Sequence, residues 1–124
     1  MPKTILVVDD YADIVVSVRQ VLEDPSGEYK VIGVESGEKC LQILRENTLP
    51  DLILLDIMMP GMNGWDVAAR IKAHEQWRNV PIVFLTAKGD EMSTGIGRLA
   101  SEDYIVKPFD IMKLKESVKR ILKT

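Results

Sequence analysis

Two hydrophobic patterns alternate along the chain. Short runs rich in Ile, Val and Leu recur, and each is followed by a longer stretch with apolar residues three and four positions apart, the pattern of a strand followed by a helix. Thr4–Val8 reads as β1; the stretch after it sets Ile14, Val15, Val18, Val21 and Leu22 along one side of α1 (14–22), which Pro25 and Gly27 stop. Tyr29–Val34 reads as β2, and Ser36 as the N-cap of α2 (37–47), which carries Cys40, Leu41 and Leu44. Leu52–Leu55, β3, is continuously apolar, as expected of a central strand covered on both faces. Residues 58–63, with Pro60 and Gly61, form a loop before α3 (64–71), which carries Trp65, Val67, Ala68 and Ile71.

Pro81 opens β4 (Ile82–Leu85), where its missing N–H does least harm, and Tyr104–Val106 reads as β5. Between them, α4 (89–100) is the weak link: Gly95, Gly97, Ser93 and Thr94 all depress helix propensity. The last helix, α5 (from Asp110), is expected to turn Met112, Leu114, Val118, Ile121 and Leu122 towards the core. Apolar strands alternating with helices predict an α/β fold with a parallel sheet covered on both faces, because parallel strands need crossovers and right-handed crossovers supply the covering helices. Five such units make a doubly wound (βα)₅ domain.

A length of 124 residues suits one domain, expected to span 1–124, that buries a core without disulfide or metal staples. Hydrophobic residues make up 46% and charged residues 28%, a balance that argues against disorder. The net charge of −3 has the wrong sign for a phosphate-tracking surface, so no direct nucleic-acid binding is expected. The apolar run at the N-terminus is too short for a signal peptide and no segment is long enough for a membrane span, so cytoplasmic residence is expected. The lone cysteine, Cys40, reads as a small core residue, and the lone histidine, His74, as an exposed surface residue.

The residues that close the strands carry the chemistry. In an open parallel sheet, ligands bind outside the carboxyl ends of the strands. There β1 ends in Asp9-Asp10, β3 in Asp56, β4 in Thr86 and β5 in Lys107. If β1 lies beside β3, three carboxylates share one edge with a hydroxyl and an amine. Two like charges about 4 Å apart cost roughly 4 kcal/mol at an effective dielectric near 20, so such a cluster needs a proton, a lysine or a metal among the acids. Carboxylates with water and a backbone carbonyl make the oxygen-only site that Mg²⁺ prefers. The competing reading of Asp9 and Asp10 is helix N-capping, for which one acid would be enough.

At four stations in order, the sequence resembles the receiver domain of response regulators from two-component signalling systems. They are Asp9-Asp10, the segment Leu55-Asp56-Ile57-Met58-Met59-Pro60-Gly61-Met62-Asn63-Gly64, Thr86-Ala87, and Lys107-Pro108-Phe109. The resemblance covers nearly the whole chain. It implies a flavodoxin-like sheet of order 2-1-3-4-5, with Asp56 accepting a phosphoryl group from a sensor histidine kinase or phosphotransfer protein. It further implies that Asp10, Asp56 and the Met58 carbonyl hold Mg²⁺, with Mn²⁺ as a substitute, and that Asp9 acts mainly through a metal-bound water. Lys107 and Thr86, with backbone N–H groups near Met58 and Ala87, would grip the phosphoryl oxygens. Pro60 and Gly64 would shape the loop, and Lys107-Pro108 would be a cis peptide. Thr86 and Tyr104 would be the switch pair that repacks the α4-β5-α5 face for a downstream partner whose identity the sequence leaves open.

Two departures from the family pattern bear on α4: the step from Thr86 to Lys107 is one residue short, and Ala100 stands where a glycine usually ends the helix. Met58 and Lys88 flank the route by which water would attack the phosphate, which predicts slow self-hydrolysis. Three other functions compete. A phosphoaspartate hydrolase would usually carry a second aspartate where Met58 stands, so the chain is not expected to be an enzyme. A flavin carrier would need a Ser/Thr/Gly-rich loop after β1, where three carboxylates would repel its phosphate. A receiver-like module that binds proteins independently of phosphate would not need the full set of phosphorylation residues present here. Kinase docking in the family lies largely near α1, where Tyr11, Ile14 and Val15 are candidates.

Overall fold

A computed structural model describes residues 2–46, 49–87 and 103–124. The elements are β1 Lys3–Val8, α1 Ala12–Leu22, β2 Tyr29–Val34, α2 Gly37–Arg45, β3 Leu52–Asp56, α3 Gly64–Ala73, β4 Ile82–Ala87, β5 Asp103–Lys107 and α5 Ile111–Leu122. All four strand pairings are parallel and the order is β2-β1-β3-β4-β5, as expected. The expected α4, with Lys88 and Ala100, lies outside the described residues, as does Asn47 at the expected end of α2.

Alternation within the strands divides the core into two layers. Leu6, Val8, Ile53, Leu55, Ile82 and Phe84 face α2 and α3, meeting Cys40, Leu44, Val67 and Ile71. Ile5, Val7, Leu54, Val83, Leu85 and Ile105 face α1 and α5, meeting Val18, Leu22, Leu114 and Val118. Cys40 is fully buried, as expected. Among the described residues no helix is long and apolar enough to cross a membrane.

Helix ends follow local chemistry. The Ser36 hydroxyl accepts from Lys39 N, Asn63 Oδ1 from Asp66 N, and Asp110 Oδ1 from Met112 N and Lys113 N, each satisfying a donor with no partner inside its helix. Tyr11, at the N-cap of α1, makes no such bond with its own side chain.

Two expectations are corrected. Met112 does not face the core: it is 71% exposed, because it stands two residues before Leu114, about 200° around the helix from the Leu114–Val118–Ile121 stripe. His74 is not a free surface residue. The chain turns back after α3, and the half-buried imidazole stacks on Trp77 at 3.6 Å between ring centroids, 7° from parallel, while Nδ1 accepts from Gln76 N.

Candidate functional site

β1 and β3 lie side by side with Val8 level with Leu55, so the residues that follow, Asp9 and Asp56, come together at the carboxyl edge. Asp9 is fully buried and Asp56 is 3% exposed. With Asp10 they form a cluster in which one carboxylate oxygen from each lies within 4.8 Å of the others. β4 adds Thr86, fully buried, and β5 brings in Lys107, level with Ala87.

Lys107 Nζ donates to Asp9 Oδ2 at 2.7 Å and lies 3.2 Å from Asp56 Oδ1. The other oxygen of Asp9, Oδ1, accepts from Tyr11 N at 3.0 Å. Asp9 therefore does both things considered for it: it satisfies a donor at the entry to α1 and joins the acid cluster. Asp10 differs. Its Oδ1 is buried and has no hydrogen-bond partner among the described residues. A buried polar atom without a partner is costly, which is why such atoms point to a ligand or ion.

The electrostatics agree. Burial and then the charge of Asp9 push the Asp56 carboxyl up to about 6, against the pull of Lys107, with Asp10 adding to the rise. Burial alone would lower the Lys107 ammonium, but Asp9 and Asp56 outweigh it and leave it above its ordinary value. One lysine faces three carboxylates, so the cluster is under-neutralised. Oxygen-only donors, an unpartnered buried carboxylate oxygen and surplus negative charge suit a hard divalent cation, and these residues are able to hold a metal ion.

Thr86 Oγ1 donates to Ala87 O at 3.0 Å. Tyr104, level with Phe84 on β5, is half-buried and packs against the layer that Phe84 belongs to. Met58 points outward and is 63% exposed. The Lys107–Pro108 peptide is cis. Of the candidates for docking near α1, Tyr11 is 68% exposed and Ile14 lines a groove with Val21, Pro108, Phe109 and Ile111, whereas Val15 sits on the β2 side over Gly33. The groove's second wall, from the β5–α5 turn, was missed in the sequence, because only the fold brings 108–111 beside α1.

Residues 5–119 match the sequence profile of the response regulator receiver domain. The chain is 43% identical over 122 residues to the DNA-binding response regulator MtrA of Mycobacterium tuberculosis, covering 98% of this chain and 50% of that protein. It is 38% identical to the phosphate regulon transcriptional regulatory protein PhoB of Pseudomonas aeruginosa, covering 98% of this chain and 52% of that protein. The chain thus spans about half the length of these curated relatives. A protein described as a response regulator from Chloroflexus aurantiacus superposes with a TM-score of 0.90 at 34% identity, with full coverage of both chains. The N-terminal domain of a response regulator receiver protein from Methanoculleus marisnigri superposes at 0.73 with 43% identity, covering 98% of this chain and 97% of that one.

Proposed function

The chain belongs to the response regulator receiver domain family of two-component signalling, and we propose that it is one Mg²⁺-dependent switch domain, residues 1–124, phosphorylated on Asp56. The observation that carries this reading is the cluster Asp9–Asp10–Asp56 with Lys107 reaching two of its members and Asp10 Oδ1 unpartnered.

Asp10, Asp56 and the Met58 carbonyl are the groups to hold Mg²⁺, or Mn²⁺ in its place, with Asp9 acting through a bound water. When bound, the metal neutralises charge on the acceptor and on the phosphoryl oxygens. The chain's own residues do the rest. Asp56 must be ionised to act as a nucleophile, and Lys107 favours that form. A carboxylate oxygen of Asp56 forms the new P–O bond while the P–N bond to the kinase histidine breaks, its electron pair returning to the imidazole. Lys107 and the Thr86 hydroxyl then bind phosphoryl oxygens, together with backbone N–H groups at Met58 and Ala87, in a pre-arranged setting that needs little reorganisation. Thr86 has to give up its bond to the Ala87 carbonyl for this, which supports its pairing with Tyr104 as a switch acting on the α4-β5-α5 face. Only a conformer favoured by the phosphorylated form shifts in population.

The partners are a histidine kinase or phosphotransfer protein, received at the groove between α1 and the β5–α5 turn, and a downstream protein. This domain makes no direct contact with nucleic acid; the DNA-binding named for its relatives belongs to those longer proteins. It works in the cytoplasm and is not a turnover enzyme. The outward Met58 side chain screens the acyl phosphate from water, so Met58→Ala shortens the phosphoryl lifetime, measured as loss of labelled phosphate.

Intact mass after incubation with acetyl phosphate tests the central claim. One phosphoryl group is expected with Mg²⁺, none with chelator, and none on Asp56→Asn. A folded protein that binds Mg²⁺ and takes no phosphoryl group would overturn the reading in favour of a phosphate-independent module.

A further inference from the structure

Met112 is apolar yet exposed, and no step of the phosphoryl chemistry uses it. Its neighbours along α5 are cations. At 100° per residue, Met112, Lys115 and Lys119 fall within about 60° of arc, three and four positions apart, and Lys123, the C-cap, follows four residues later. The stripe lies on the flank of α5 turned towards α1: Ile111 lines a groove with Ile14 and Val21, and the charges of Lys115 and Lys119 reach Asp24, just beyond the end of α1. Lys113 and Arg120 stand on the other flank, with Glu116 and Ser117.

Charge is unevenly divided along the chain. Residues 111–123 hold five cations and one acid, so the net charge of −3 separates into +4 on this segment and −7 on the rest. Lys119 and Lys123 are exposed and Lys115 is half-buried, and none of the three forms a salt bridge with another described residue. Hydrogen bonds from Ser26 lower the exposed Asp24 carboxyl, and the charges of Lys115 and Lys119 lower it further, so a carboxylate beside this stripe is favoured in its charged form.

We propose that this shoulder of α5 is a docking surface for an acidic segment of a partner protein, one that carries an apolar residue beside its carboxylates. Two features select that class of occupant. From Lys115 to Lys123 the cations span about 12 Å of helix, which suits two or three carboxylates. A nucleic-acid backbone or an anionic membrane would extend past them and meet the −7 carried by the rest of the chain. Met112, with exposed Ile111 beside it, adds an adaptable apolar contact that a row of phosphates cannot use and an apolar side chain can. Exposed ion pairs are individually weak, so the lysines govern encounter and choice of partner while the apolar contact adds hold. α5 begins at the carboxyl edge of the sheet and runs back from it, so the lysines lead away from Asp56 and the inference does not rest on the phosphorylation chemistry.

The full unphosphorylated chain is titrated into a short fluorescein-labelled peptide in which one leucine is followed by glutamates at three- and four-residue spacing. Anisotropy gives the Kd at about 0.15 M salt, where charges more than about 8 Å apart are largely screened. Replacing the glutamates by glutamines is expected to weaken binding about 10-fold or more, and so is the charge reversal Lys115→Glu with Lys119→Glu. Lys115→Gln with Lys119→Gln, which adds no like charge near Asp24, and Met112→Ser, at an exposed position, each weaken it about 3- to 10-fold. These variants carry the test if urea melts show the reversal to be unfolded. Lys39→Glu with Arg45→Glu makes the same change in net charge on α2, across the sheet, and keeps the Kd within about twofold.

Equal Kd for the glutamate and glutamine peptides, or equal losses from the α2 and α5 pairs, would overturn the assignment. Tighter binding of oligothymidylate or of phosphatidylserine vesicles than of the peptide, lost with the α5 pair, would assign the surface to polyphosphate or lipid and overturn it as well. Self-association of the chain in sedimentation, abolished by the same pair, would make the occupant a second copy and overturn it too.

Discussion

Asp56 stands where burial and the charge of Asp9 oppose its ionisation and Lys107 only partly compensates, which is how its carboxyl comes to be pushed up to about 6 from 3.8. Between these two values the folded chain holds a proton that the unfolded chain has released. Stability of the metal-free protein therefore falls as pH rises from near 4 to about 6, and the loss persists above. Asn at this position mimics the neutral form. Asp56→Asn is accordingly expected to be more stable than the wild type at pH 7 without metal, by on the order of 1 to 3 kcal/mol, with the gap closing as pH drops through 6. Urea titrations in EDTA from pH 5 to 8 measure this; a variant less stable at every pH would mean that the Lys107 contact outweighs the crowding. Lys107 is raised, so its own contribution is present at neutral pH and disappears only above its ordinary 10.5.

At the scale of elements, the β2 edge of the sheet is covered by Arg19 of α1 and by Glu23 at its C-cap. β1 N–H groups reach the carbonyls of Glu28 and Val34, so the even-numbered residues of β2 face β1 and Val31 turns both its polar groups outward. Val31 N donates to Glu23 Oε2 at 2.7 Å and Val31 O accepts from Arg19 Nη2 at 3.1 Å. Gly33, one pleat further, lets Val15 approach so closely that no side chain would fit. Removing the acceptor leaves a partly buried N–H unsatisfied on an exposed edge. Glu23→Ala is expected to cost about 1 to 2 kcal/mol in a urea melt, and Glu23→Gln, which retains an acceptor, less than half of that. An uncovered edge also invites pairing between copies, so sedimentation should show association of the alanine variant before the glutamine one. Nothing in the sequence alone singles out Arg19 or Glu23, because which strand residues face outward depends on register across the sheet. Met112 eluded the pattern for a related reason. Apolar spacing marks a stripe on α5, but an exposed apolar residue beside it looks the same in one dimension.

For the molecule as a whole, strand order and site were legible together, because the residue types that close four strands make chemical sense only if those strands are neighbours. Asp9, Asp10, Asp56 and Lys107 do converge. What spacing could not give was the division of labour inside the cluster: Asp9 turns one oxygen to Tyr11 N and one to Lys107, while Asp10 keeps a buried oxygen unpartnered. On the proposed function, that arrangement would couple metal binding to global stability, and Cys40 offers a way to read it. The thiol is fully buried at the inner face of α2, and burial pushes its pKa up to about 12, so a thiol reagent reaches a reactive thiolate only when the chain opens. A ligand bound only by the folded form stabilises it by about 2.7 kcal/mol at a concentration 100 times its Kd. Under conditions where refolding outpaces labelling, Mg²⁺ at that excess should slow Cys40 modification about 100-fold, and Asp10→Asn should lose most of the protection. Labelling that ignores Mg²⁺, while the urea midpoint of the same protein rises with it, would instead show that α2 opens on its own, without unfolding the acid cluster at the carboxyl ends of β1 and β3.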